Sequence, residues 1–141
     1  MTTPSNLQRF VDAQAYSCNT ALAEINTGRK RSHWMWYVFP QIQGLGFSET
    51  AHYYALADVR EVADYLAHPA LGSQLLEISR ALLGLASSDA RHVLASPDDL
   101  KLRLSMTLFA SLGTNPVFQQ VLDKFYGGTP DDKTLRIISA Q

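Results

Sequence analysis

Three times toward its C-terminal end, the chain sets a helix-capping residue directly before a proline: Ser96-Pro97, Asn115-Pro116 and Thr129-Pro130. Ser, Asn and Thr side chains accept from the free N–H groups of a first helical turn. Proline suits the first helical position, where its missing N–H would have had no partner anyway. Asp98-Asp99 and Asp131-Asp132 then place negative charge at the positive end of a helix. Further punctuation lies upstream. Ser5 and Gln8 fit a capping box, Gly28 fits a helix C-terminus, Ser48 and Asp58 fit N-caps, and Pro69 fits a first turn. Apolar residues recur at helical steps between these marks, as in Leu71, Leu75, Ile78, Leu82 and Leu85. The pattern predicts an all-α chain of about seven or eight short helices.

One stretch opposes it. Leu100 to Leu108 alternates apolar and polar residues strictly, which is a strand period. The helical start just upstream and the lack of a partner strand favour a helix. Such a helix would be apolar around most of its girth, hence central and deeply packed.

At 141 residues the chain fits one domain, expected over 7–141 with 1–6 as an N-terminal extension. Its 46% apolar and 18% charged residues suit a folded core rather than disorder. The net charge of −1 weighs against nucleic acid as a partner. Cys18 is the single cysteine, excluding an intrachain disulfide and a cysteine zinc site, and its helical stripe suggests a buried thiol. His33, His52, His68 and His92 lack local metal spacing, so no metal and no cofactor is expected. The start lacks a signal-peptide pattern and no apolar run reaches membrane length, so a cytoplasmic chain with no membrane partner is expected. Gly44-Leu45-Gly46 begins like a dinucleotide fingerprint, but Glu49 stands at its third glycine position. Asp58, Glu61, Asp64 and His68 read as the solvated side of a helix.

The unusual segment is 29–46. Between Ile25 and Ser48 it carries Arg29, Lys30 and Arg31 and no acid. Seven of the fourteen aromatic residues fall between Trp34 and Tyr54. Such a block builds either a core wall or an apolar-sided pocket with polar tips. If Ser32 caps a helix, the free N–H groups and Lys30 face one point, an anion site. Lys101 and Ser105 share one helix face, and with Arg103 they form a second polar set. Asp98, Asp99 or Asp12 would pair with that set if no ligand does. His33 is the candidate for proton transfer, its ordinary pKa lying near neutrality.

Lys30-Arg31-Ser32-His33-Trp34-Met35-Trp36-Tyr37-Val38-Phe39-Pro40-Gln41, with Gly44-Leu45-Gly46, Tyr65-Leu66-Ala67-His68-Pro69 and Lys101-Leu102-Arg103, resembles the DUF 1810 family. The likeness runs over about residues 7 to 136. It implies a compact all-helical fold, supports a helix at 100–108, and carries no established reaction. Leu104 stands where the family pattern has a serine.

The matching set is Lys30, Ser32, His33, Trp34, Trp36, Gln41, Lys101, Arg103 and Ser105. The expected function is a small-molecule site for an anionic, phosphate-bearing ligand resembling a nucleotide or sugar phosphate, with a flat ring on tryptophan. His33-assisted hydrolysis is conceivable there, but no nucleophile is identified. The alternative is a non-catalytic module that packs a partner protein or a second copy of the chain.

Overall fold

The computed structural model describes residues 7–141, apart from the Tyr16 side chain. The described residues form nine α-helices, slightly more than expected. α1 spans Gln8–Asn26, α2 Met35–Val38, α3 Glu49–Tyr54, α4 Val59–Ala67 and α5 Pro69–Leu83. α6 spans Ala90–Leu94, α7 Asp98–Ala110, α8 Val117–Tyr126 and α9 Asp132–Ser139. Extended pairing among the described residues is one isolated parallel bridge, Ile42 with Leu56. No helix among them is long and apolar enough to cross a membrane.

The helix at 98–110 resolves the alternating stretch as expected. Successive members of a two-residue alternation fall about 200° apart on a helix, so its leucines spread around the whole cylinder. Neighbours cover those faces: α7 packs against α4, α6, α8 and α9. Leu102, Ser105, Met106, Thr107, Leu108 and Phe109 are buried, while Leu100 stays exposed. A second packed group joins α1 to α5 and α2, and α5 to α4 and α8. An aromatic spine links the groups. Phe10 meets Tyr65 edge-on at 5.1 Å, Tyr65 meets Phe109 at 5.5 Å, and Phe109 meets Phe118 at 5.5 Å. One hydrophobic core results.

Several helix ends match the sequence. The Ser48 side chain accepts from Ala51 N–H, and that of Asp58 from Glu61 N–H. Gly28 follows α1 with φ +88°, a conformation that costs glycine nothing. The proline starts hold, but their caps shift. Pro97 and Pro116 themselves flank α7 and α8, and no side chain caps those two positions. Asn115 still accepts from Val117 N–H, whereas Asp131, not Thr129, caps α9 through Thr134 N–H. The Ser5 capping box lies outside the described residues.

Two other expectations need correction. The acids of α4 are not a uniformly solvated face. Glu61 turns inward, where Oε1 lies 2.8 Å from Arg9 Nη2 with both side chains 11% exposed. His68 is the cap of α5, its Nδ1 accepting from Ala70 and Leu71 N–H. Cys18 is half-buried rather than buried, because its side of α1 borders the cleft between α1 and α5.

Candidate functional site

The segment after α1 is held by an anion of the chain itself. Glu24 sits in the last turns of α1, and the chain reverses after Gly28 to run back past it. Glu24 Oε1 accepts from Arg31 N at 2.8 Å, Ser32 N at 2.9 Å and Trp34 Nε1 at 2.9 Å. Its Oε2 accepts from the Ser32 hydroxyl. Desolvation alone would raise the carboxyl pKa. The Ser32 hydroxyl, the Arg31 and Ser32 N–H groups and the Trp34 indole outweigh it and lower the pKa to about 2. The anion site expected from a helix capped by Ser32 and faced by Lys30 is not formed; the N–H groups that converge here are those of Arg31, Ser32 and the Trp34 indole, and Glu24 fills their cradle. Ser32 does not cap α2, whose N-terminal flank is Trp34.

Lys30 belongs to a different cluster. Its backbone N–H donates to Val93 O at 2.7 Å, which ties the segment to the end of α6. Its Nζ lies 2.8 Å from Asp98 Oδ2, at the start of α7. Lys101, one turn along, reaches the same carboxylate at 3.3 Å through Oδ1. The side chains of Lys30, Asp98 and Lys101 are 8%, 17% and 20% exposed. Each ammonium also faces an indole: Lys101 Nζ is 4.0 Å from the centre of Trp36, and Lys30 Nζ 5.2 Å from that of Trp34. Two cations thus share one carboxylate beside two tryptophans.

The other members of the expected set are dispersed. Arg103 is two residues from Lys101 and so on another side of α7. Its guanidinium donates to Thr129 O at 3.1 Å and Pro130 O at 3.0 Å, tying α7 to the chain before α9. Lys30, Lys101 and Arg103 therefore do not gather on one anion. Ser105 lies one turn beyond Lys101 on the same face. It is fully buried, and its Oγ has no partner among the described residues. Trp34 is core and Trp36 half-buried. Gln41 is buried, and its carbonyl accepts from Leu56 N beside the Ile42 bridge. His33 is exposed; its backbone carbonyl accepts from the Tyr37 hydroxyl. Arg29 and Arg31 are also exposed.

Sequence reasoning overlooked Glu24. The available signal was an acid one helical turn before Gly28, where the chain must turn back across it. The sequence offers Asp98 as a partner for Lys101, and the structure adds Lys30 to the same carboxylate.

A model of the DUF1810 family, described as a protein of unknown function, matches residues 4–138. The search of curated proteins found no match. Among solved structures, the chain is similar to the conserved hypothetical protein Rv1873 from Mycobacterium tuberculosis, known from its crystal structure. The two are 40% identical with a TM-score of 0.96, over 99% of this chain and 100% of that one.

Proposed function

The chain belongs to the DUF1810 family, whose description assigns no activity, and from the site itself we propose a small-molecule-binding domain for an anionic, phosphate-bearing ligand. The observation that carries this reading is the sharing of Asp98 by Lys30 and Lys101. Their charges sum to +1 in a partly dry setting, so the cluster lacks one anion. A ligand phosphate would supply it at Lys101, the more exposed lysine. Exposed Arg29 and Arg31 flank Lys30 in the chain and favour the same sign of ligand. Trp36, half-buried beneath Lys101, offers ring surface for a flat group such as a nucleobase. Ser32 and Trp34 act indirectly, by holding the segment on Glu24. The reading stops at binding: among the described residues, the hydrogen bond at His33 is made by its backbone carbonyl, and the sequence identifies no nucleophile. A cytoplasmic setting belongs to the same proposal and rests on the single cysteine.

Thermal unfolding with inorganic phosphate, glucose 6-phosphate and AMP tests it. A ligand at 100 times its dissociation constant stabilises by about 2.7 kcal/mol, several degrees for a chain of this size. Lys101→Ala should abolish the shift for all three. Trp36→Leu should reduce it for AMP alone. No shift in a folded wild type, or a shift that survives Lys101→Ala, overturns the reading.

A second reading, self-association, has one specific observation. Phe47 is 88% exposed, directly after Gly46, where an added Cβ would lie 4.0 Å from the Trp36 ring. Exposed Tyr53 and Leu100 add apolar surface elsewhere. Sedimentation should then give a dimer that Phe47→Ser returns to a monomer. A wild-type monomer at high micromolar concentration removes this reading.

A further inference from the structure

Away from the lysines, a small cleft opens between α1 and α5, with a cavity volume of about 50 Å³. Leu22, Val38, Leu75 and Ile78 supply its apolar wall. Its polar lining residues are Gln14, Cys18, Asn19, Gln74 and Glu77. Gln14 is 5% exposed, and its Nε2 donates to Tyr37 O at 2.6 Å and to the Tyr65 hydroxyl at 2.8 Å. With both amide protons committed, the group Gln14 can offer a ligand is its carbonyl oxygen. Gln74 Oε1 is buried and has no hydrogen-bond partner among the described residues. Glu77 is the one charged residue in the lining, which contains no Lys, Arg or His. The Cys18 thiol, also at the wall, has its pKa raised by burial first and by the Glu77 charge second, which keeps it neutral.

On this apolar wall the unpartnered Gln74 Oε1 and the Glu77 carboxylate are two acceptors that a positively charged donor can satisfy together. Leaving a buried acceptor unpaired costs about 1–3 kcal/mol, which a donating ligand would recover. We propose that the α1–α5 cleft binds a small organic cation, an alkylammonium or amidinium group with a short apolar body. Its N–H groups meet Gln74 Oε1 and the Glu77 carboxylate, and its body lies on Leu75 and Ile78. The preferred charge is opposite to that of the lysine cluster, and the two sites share no residue.

Titration of ¹⁵N-labelled protein with butylammonium and benzamidinium tests the proposal, with butanol and butyrate as size-matched controls. Saturable shifts are expected at α1 and α5 residues for the two cations, weaker for butanol and absent for butyrate. Alkylation of Cys18, the single thiol, should slow as the cleft fills. Glu77→Gln should weaken butylammonium binding about tenfold, the worth of one charge-assisted hydrogen bond. Glu77 is exposed, so this variant tests the idea even if Gln74→Leu lowers stability. Lys101→Ala should leave cation binding unchanged, which separates this result from the phosphate test. No saturable shift through the millimolar range, butanol binding as tightly as butylammonium, or unchanged affinity in Glu77→Gln overturns it.

Discussion

Glu24→Ala should cost the protein about 2–4 kcal/mol, read as a lowered midpoint in urea. The carboxylate accepts from Arg31 N–H, Ser32 N–H, the Ser32 hydroxyl and the Trp34 indole. Removing it strands the N–H of Trp34, a side chain buried in the core. Hydrogen bonds to a charged acceptor are worth about 1.5–3 kcal/mol each but are not additive here, because they order one segment together. The same group predicts a pH dependence. Its pKa falls from the ordinary 4.5 to about 2 on folding. A lowered carboxyl pKa stabilises the fold fully above the unfolded value. That share is lost as pH falls from 4.5 through about 2. Because Glu24 is partly solvated, the share is discounted to about 1–2 kcal/mol. Glu24→Gln should lack this component, so its stability should fall less steeply than that of the wild type between pH 5 and pH 3. Parallel losses in the two proteins would show that Glu24 is not held in its charged form by the cradle.

How much of this was legible beforehand differs by scale. Helix starts depend on a few neighbouring residues, so Ser48, Asp58, Pro69 and Gly28 revealed theirs directly. At Thr129-Pro130-Asp131 two capping side chains compete, and the one nearer the first turn, Asp131, takes the N–H of Thr134. At 100–108 the local period pointed to a strand. Four neighbouring helices override it by covering most of α7, with Leu100 left exposed. The site was less legible. Lys30 meets Asp98 because its backbone is pinned to Val93, a contact no spacing rule anticipates. By residue type Lys30 and Arg103 both read as ligands for one anion, yet one pairs with a carboxylate and the other with two backbone carbonyls. Residue type identified cations worth attention; their directions were set by tertiary packing.

Gly72→Ala should be among the most damaging single-methyl additions in the chain, costing upward of about 3 kcal/mol. Gly72 lies in the second turn of α5, buried, where helix propensity alone would favour alanine by about 1 kcal/mol. The reason for glycine is the tight joint between α4 and α5. His68 ends one helix and caps the next, so the first turns of α5 fold back against the last turn of α4. A Cβ on Gly72 would sit 1.9 Å from Leu66 O and 2.9 Å from Leu66 C, both backbone atoms. No rotamer change relieves that overlap; the end of α4 must move by about 1 Å or more to restore contact distance. Leu66 follows Tyr65, whose ring packs on Phe10 and Phe109, so the displacement enters the aromatic spine. Gly84, at the other end of α5, is the control. Its φ is −78° and an added Cβ would meet Ala81 O at 3.5 Å, an ordinary contact. Gly84→Ala should therefore stay near neutral or stabilise by about 0.4–1 kcal/mol through the unfolded chain. Urea unfolding of both variants separates packing from backbone entropy. A Gly72→Ala protein as stable as Gly84→Ala would mean that the α4–α5 joint is looser than this geometry requires.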